Sequence, residues 1–250
     1  MSIVSEWSHP PAELCLEDQN VHVWRAFLDC EGHVLQRLEA SLAPDEISRA
    51  ARFVFPRDRD HFIVARGILR SILGAYINRP ASEIELIYGP AGKPAIQMSG
   101  GKPSIRFNLS HSHGLVVYAF STWREIGIDV EAIRPDVAVE EIADRFFSAR
   151  ERAELQSLPQ ELRNEGFFLC WTCKEAYIKA RGSGMGISLN SFGVSVTPGH
   201  PRELRSSDSS QWSLRSLQAA PGYVGAVVGE GRDWGLRLWD WEKKRPATGT

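Results

Sequence analysis

Ile126-Gly127-Ile128-Asp129-Val130-Glu131 is where this chain starts over. Apolar residues at every second position have the period of a covered β-strand. The run follows Thr122-Trp123-Arg124-Glu125, a polar break that closes a first set of elements. Before the break, strands are predicted at 21–28, 83–88, 105–109 and 115–120, and helices at 44–52 and 60–76. After it come helices at 139–146, 149–158 and 161–181, then strands at 192–196, 212–217, 223–228 and 236–239. Each half mixes a few helices with antiparallel-looking strands, so the expected fold class is α+β in two lobes, 1–123 and 124–250. No repeat is visible residue by residue.

Local signals support these elements. Pro44 suits the first turn of a helix, where no amide hydrogen is needed. Ile68, Leu69, Ile72, Leu73 and Tyr76 form the stripe of an amphipathic helix. Gly89-Pro90-Ala91-Gly92-Lys93-Pro94 reads as a loop, and Ser110-His111-Ser112-His113-Gly114 as the connection between two strands. Ser148 with Glu151 makes a capping box, and Gly182, Gly184 and Gly186 stop the longest helix. Residues 232–250 read as a polar tail.

Composition excludes several classes. With 43% apolar and 24% charged residues over 250 positions, the chain is ordinary globular protein. A net charge of -2 gives no global field for nucleic acid or an anionic membrane. No apolar run reaches the ~18 residues of a membrane helix, and the start has no secretory signal, so a cytoplasmic location is expected. Four cysteines without an export signal are expected to be reduced thiols. Cys170 and Cys173 form a C-x-x-C inside a helical pattern, with no second pair for zinc and no preceding strand for a redox motif. One local imbalance stands out. From Ile47 to Arg70 the chain carries Arg49, Arg52, Arg57, Arg59, Arg66 and Arg70 against only Asp58 and Asp60.

Five groups of residues could do chemistry. Asp129 and Glu131 share a strand face ~6.5–7 Å apart, while Ile128 and Val130 point the other way. Alone, they are an acidic strand face; with a ligand, they are hard oxygen donors for a divalent cation beside phosphate. Glu175 and Lys179, one helical turn apart, are a surface ion pair in the plain reading. The apolar run Phe167-Phe168-Leu169-Cys170-Trp171 before them argues instead for a helix whose polar pair faces a cleft. Asn108-Leu109-Ser110-His111-Ser112 lacks the G-x-S-x-G elbow of a hydrolase, so its hydroxyls and imidazole suit phosphate contact. Lys93 on a tight loop suits an anion too, outside the context of a P-loop. Arg49 and Arg52, like Arg66 and Arg70, are spaced to converge on one anion.

Together these stretches resemble a known family. Gly92-Lys93-Pro94, Phe107-Asn108-Leu109-Ser110-His111-Ser112, Gly127-Ile128-Asp129-Val130-Glu131 and Trp171-Thr172-x-Lys174-Glu175-Ala176-x-x-Lys179-Ala180 are similar to the signature blocks of the 4′-phosphopantetheinyl transferases. The match is to the long, surfactin-synthetase-activating (Sfp-like) branch. Arg52-Phe53-Val54-Phe55 and Arg145-Phe146-Phe147-Ser148 extend it, so that roughly 47–192 is covered.

The resemblance implies a monomeric pseudo-dimer of two similar α+β lobes with the active site in the cleft between them. The first lobe would be the coenzyme A side and the second the metal and catalytic side. Coenzyme A would be co-substrate, Mg²⁺ the metal with Mn²⁺ as a substitute, and an acyl- or peptidyl-carrier protein the partner, with no nucleic acid or membrane involved. By position, Asp129, Glu131 and Glu175 match the family's metal ligands. Glu175 and Lys179 match its catalytic pair, Glu175 taking the proton of the incoming serine. Arg49, Lys93, Asn108, Ser110, His111, Asp129 and Lys179 fall where coenzyme A is bound. Three positions depart from the pattern: Glu46 stands where some relatives have a lysine, Phe62 where some have a small hydroxyl residue, and Tyr88 at a loop position that can be basic. The second cation for the 3′-phosphate is thus open between Arg52 and Arg66. A diphosphate hydrolase using water, or a coenzyme A-binding regulator without turnover, are the competing readings.

Overall fold

The computed structural model describes residues 6–89, 92–96, 105–182 and 186–241. Pro90 and Ala91 of the first loop, Gly184 and the end of the expected tail (242–250) lie outside the described residues.

The first lobe runs β1 (Asn20–Phe27), α1 (Gly32–Glu39), α2 (Pro44–Ala50), α3 (Pro56–Ile77), β2 (Leu86–Tyr88), β3 (Pro94–Ile96), β4 (Arg106–Ser112) and β5 (Leu115–Ser121). The second runs β6 (Ile126–Ala132), α4 (Val139–Phe146), α5 (Ala149–Ser157), α6 (Gln160–Arg181), β7 (Gly193–Val194), β8 (Leu204–Arg205), β9 (Trp212–Ala220) and β10 (Tyr223–Glu230). A last strand, β11 (Gly235–Asp240), follows.

The two runs share one topology. In each, an opening strand leads through a 22-residue helix and a short hairpin to two final strands, and the last strand lies between the other two: β1-β5-β4 and β6-β10-β9. The fold is therefore α+β, built of two similar lobes. β11 does not join the sheet that precedes it. It pairs in parallel with β1, from Asn20↔Gly235 to Arg25↔Asp240, and completes the first sheet as β11-β1-β5-β4. Ser8 bridges to Trp239 on its other side.

Alternation along the strands explains the layering. Val21 and Val23 of β1, Leu115, Val117 and Ala119 of β5, Ile126, Ile128 and Val130 of β6, and Val227 of β10 form one core between the sheets. Their neighbours on the opposite faces, such as Trp24, Val116 and Tyr118, pack under α3. Ala226 and Val228 pack under α6 with Phe167, Phe168 and Tyr177. Both sheets are thus covered on both sides, which is why β5 is buried from end to end.

Several elements differ from the sequence expectation, which contains neither of the short strands β3 and β8. α1 has a single fully buried apolar side chain, Leu38, too little stripe to be read as a helix. α3 begins at Pro56, using the proline at its first turn. β4 continues through Ser110, His111 and Ser112, so those residues are strand and only His113 and Gly114 turn, both at positive φ. The capping box is present: Ser148 Oγ accepts from Glu151 N, and Ser148 N donates to Glu151 Oε2 at 2.7 Å.

Candidate functional site

The polar residues that made β4 look like a loop face the other lobe. β4 and β6 belong to different sheets and pack side by side. Asn108, Ser110 and Ser112, at alternate positions of β4, all reach across. Ile128 N donates to Asn108 Oδ1 at 2.9 Å. Ser110 Oγ donates to Asp129 Oδ1 at 2.7 Å. Ser112 Oγ donates to Glu131 Oε2 at 2.6 Å and accepts from Ala132 N at 3.2 Å. Buried strand residues of this kind are kept by their hydrogen bonds, since an unpaired polar group there costs about 1–3 kcal/mol.

Gly127 brings α6 down onto that seam. A Cβ at this position would lie 2.1 Å from Ala176 O and 2.3 Å from Ala180 N, so only glycine lets the backbone of α6 lie on β6. The approach delivers Lys179. Its Nζ donates to Asp129 Oδ1 at 2.7 Å, to Ser110 Oγ at 3.0 Å and to Ile128 O at 3.3 Å. Asp129 is 4% exposed, and its second oxygen, Oδ2, is buried without a hydrogen-bond partner. Glu175 and Glu131 lie close enough to feel it. Burial, then the Asp129 charge, push the Glu175 carboxyl above its usual range, against the pull of Lys179. Glu131 is pushed up by burial and by Asp129, while its hydrogen bond from Ser112 works the other way.

His111 and Arg49 open onto a neighbouring cavity of about 700 Å³, together with Phe53, Phe62, Arg66, Tyr88 and Leu109. Partial burial, with Lys179 nearby, holds the His111 imidazole below its usual range. A second cavity, of about 620 Å³, is lined by Glu175, Lys179, Asn108, Phe146, Trp171 and Leu189, among others. The two adjoin along Gly92, Pro94 and Leu109. Lys93 sits on this ridge, but its ammonium is engaged. It donates to Ile126 O at 3.2 Å and Lys179 O at 3.1 Å, with Glu125 at 3.7 Å, and so ties the loop to the second lobe.

Among the described residues no group of three or more His, Cys, Asp or Glu side chains is gathered around one point as a metal would gather them. Lys179 supplies positive charge to Asp129 instead, and Ser112 holds Glu131. The donor set nonetheless fits a hard divalent cation. Asp129 Oδ2 is a carboxylate oxygen lacking a partner, and the carboxyls of Glu131 and Glu175 are raised first by burial and then by the Asp129 charge. The C-x-x-C is a different matter. Both thiols are buried, and burial pushes Cys173 up to about 12, so neither is poised as thiolate.

The seam therefore brings together Asn108, Ser110, Asp129, Glu131, Glu175 and Lys179, with His111 beside it. Arg49 lines the first cavity, with its guanidinium over the Phe62 ring. Two groups escaped the sequence reading. Ser112, quoted there only as part of its block, holds a carboxylate. Glu46, read there as a departure, is 2% exposed and is an ion-pair partner of Arg70 and Arg66.

The 4′-phosphopantetheinyl transferase superfamily model matches residues 125–228, and the model for the N-terminal part of 4′-phosphopantetheinyl transferases matches 30–122. 4′-Phosphopantetheinyl transferase HetI of Nostoc sp. is 41% identical over 233 residues, which is 93% of this chain and 97% of that protein. 4′-Phosphopantetheinyl transferase Sfp of Bacillus subtilis is 30% identical over 193 residues, 77% of this chain and 84% of its own. The psf-1 transferase of Bacillus pumilus is 34% identical over 77% of this chain and 81% of its own. A solved holo-[acyl-carrier-protein] synthase from Thermotoga maritima covers 43% of this chain and 63% of its own, at 20% identity and a TM-score of 0.36, too slight a likeness to argue from.

Proposed function

This chain belongs to the 4′-phosphopantetheinyl transferase superfamily and is an enzyme; from that premise we propose that it transfers the 4′-phosphopantetheine group of coenzyme A to a serine of an apo acyl- or peptidyl-carrier protein. The observation that carries the reading is the knot at the seam. Lys179 and Ser110 from opposite sides hold one oxygen of Asp129, its other oxygen is unpartnered, and the Asp129 charge reaches the carboxyls of Glu175 and Glu131.

In this reading the nucleotide end of coenzyme A lies in the cavity of Arg49, Phe62 and Tyr88. Its diphosphate crosses the Pro94–Leu109 ridge to Ser110, His111 and Lys179. Glu175 lines the cavity on the other side, so the carrier serine enters there. Serine is a poor nucleophile at neutral pH and needs a base within hydrogen-bond reach. Glu175 takes the hydroxyl proton, and burial, which raises its carboxyl, makes it a stronger base. The serine oxygen forms a bond to the phosphorus bearing pantetheine, and the bond from that phosphorus to the bridging oxygen breaks. Adenosine 3′,5′-bisphosphate departs; Lys179 offsets the charge that appears on it, and the His111 ring can donate a hydrogen bond to it. A bound Mg²⁺ or Mn²⁺, held by Asp129, Glu131 and Glu175, would neutralise the diphosphate and relieve the repulsion among the three carboxylates.

The test is to mix the chain with Mg²⁺, coenzyme A and several apo carrier proteins, then weigh the carriers. Gain of one phosphopantetheine on a serine supports the reading. No gain on any carrier overturns it, and adenosine 3′,5′-bisphosphate released without a carrier points to hydrolysis instead.

A further inference from the structure

Lys93 belongs to the first lobe, but what it holds is the end of a helix in the second. An ammonium has three donors. Two of them go to main-chain carbonyls, Lys179 O at 3.1 Å and Ile126 O at 3.2 Å, and Glu125 Oε2 lies 3.7 Å away. Lys179 is in the last turn of α6, whose carbonyls have no partner inside the helix. The other donor to Lys179 O is Gly182 N, at 3.3 Å. A cation at this place also meets the negative end of the helix dipole. Lys93 is thus a cap for α6 that comes from the opposite lobe.

The cap matters because of what Lys179 does with its other end. Its Nζ donates to Ile128 O and to Asp129 Oδ1. The residue is therefore fastened to β6 twice, directly at the ammonium and, at the carbonyl, through Lys93 to Ile126 O. Gly127 lies between the two fastenings, and a Cβ on it would come within 2.9 Å of Lys179 C. Helix ends are where a fold opens most readily, so a lysine in a last turn keeps its place only if the turn is held.

We propose that Lys93 is a positioning residue for Lys179: it reaches across from the first lobe, caps the last turn of α6 and locks the main chain of Lys179 to β6. Lys179 is then in place for reaction only while the two lobes are joined at this loop. Lys93 leaves the set of expected coenzyme A ligands, because two of its donors are spent on carbonyls and the third has Glu125 beside it. The kinetic part of the inference rests on the transfer reading; the cap itself does not.

Hydrogen exchange of the full chain, followed by mass spectrometry without any ligand, reads the cap directly. In Lys93→Met the amides of 178–182 should exchange about tenfold faster than in the wild type, as expected for loss of a charge-assisted bond, with α3 unchanged. Turnover separates positioning from binding. Lys93→Met should lower kcat about tenfold while the KM for coenzyme A moves less than about threefold, because a small misplacement of a reacting group costs rate. Lys93→Arg keeps a cation that can donate to carbonyls and should recover most of the loss. Added to Lys179→Met, the Lys93→Met change should cost less than about twofold more, since one residue acts through the other. Arg106→Met removes the other cation beside Glu125, at 3.5 Å, and should leave kcat within about twofold of wild type. Unchanged exchange in α6 overturns the assignment. So does a KM rise of about tenfold with kcat intact, the mark of a lost phosphate ligand, or losses that multiply in the double variant. Should Lys93→Met not fold, Lys93→Gln takes its place in the same measurements. If the wild type modifies no carrier, the transfer reading fails, and the exchange result alone upholds or overturns the cap.

Discussion

The helices α3 and α6 occupy the same place in their lobes, and most of what they do is the same. Each has 22 residues and covers the outer face of its sheet. Each carries a buried cation as its fifteenth residue, Arg70 in one and Lys174 in the other. Each cation takes a buried carboxylate from the short helix before it: Glu46 of α2, and Glu151 of α5 at 2.8 Å. Each also donates to two carbonyls beyond the helix. Arg70 reaches Ala81 O and Ile84 O, and Lys174 reaches Leu189 O and Phe192 O. The sixteenth and twentieth residues part company. They are Ser71 and Ala75 in α3 but Glu175 and Lys179 in α6. The scaffold is present twice; in the proposed function the chemistry is present once, installed by two side chains on one helix and two on the strand beneath it.

The strongest attempt to break this contrast is at the sixteenth position. Glu175→Gln should lower turnover by about 10²–10⁴-fold with an unchanged circular dichroism spectrum, as loss of a general base does. Ser71→Ala in α3 should change turnover by less than about twofold, because an isolated substitution away from the chemistry has little leverage. Near-normal turnover in Glu175→Gln means the chemistry is elsewhere.

The buried ion pairs come next. Lys174→Met strands Glu151, which has no exposure at all, and should cost about 3–5 kcal/mol in urea unfolding. Arg70→Met should cost less, about 1–3 kcal/mol, because Arg66 remains beside Glu46. Equal losses would show that the second guanidinium does nothing for Glu46.

Glycine substitutions separate packing from chemistry. Gly127→Ala forces β6 and α6 apart, so both stability, by about 1–3 kcal/mol, and turnover should fall. Gly67→Ala meets Leu38 of α1 at 2.7 Å, and should lower stability while sparing turnover per folded molecule. The smallest effect is a pH dependence. Glu175 has a raised carboxyl in the fold, so its penalty on stability is fully present above that raised value and fades as pH falls toward the ordinary one. Metal-free Glu175→Gln should therefore melt above the wild type at neutral pH, and the gap should shrink on acidification. A gap that grows on acidification would mean the carboxyl is not raised.

How much of this was legible depended on whether the cause was local. The α6 stripe, the Ser148–Glu151 box and the β6 alternation announce themselves because their reasons lie within a few residues. The strand pattern of β4 stops at Leu109 because Ser110 and Ser112 have the composition of a turn, and only the second lobe gives them a buried role. Glu46 looked like a missing lysine for the same reason, since its partners lie on a different helix. Asp129, Glu175 and Lys179 could be named from their motif, but not the unpartnered Oδ2 or the grip of Ser110, which need three elements at once.

The parallel pairing of β11 with β1 has a bearing on how the molecule is made. The first strand of the first lobe waits for a neighbour that is among the last described residues of the chain. During synthesis the first lobe can assemble β1-β5-β4 and its helices, but the outer edge of β1 stays unpaired until the second lobe has been translated. An open edge of this kind invites pairing with other chains. The contact also joins residues more than 200 positions apart, which makes sheet completion a late and slow event. Chains that end before Gly235 should be those that aggregate, even with both lobes' helices and every residue of the seam in place.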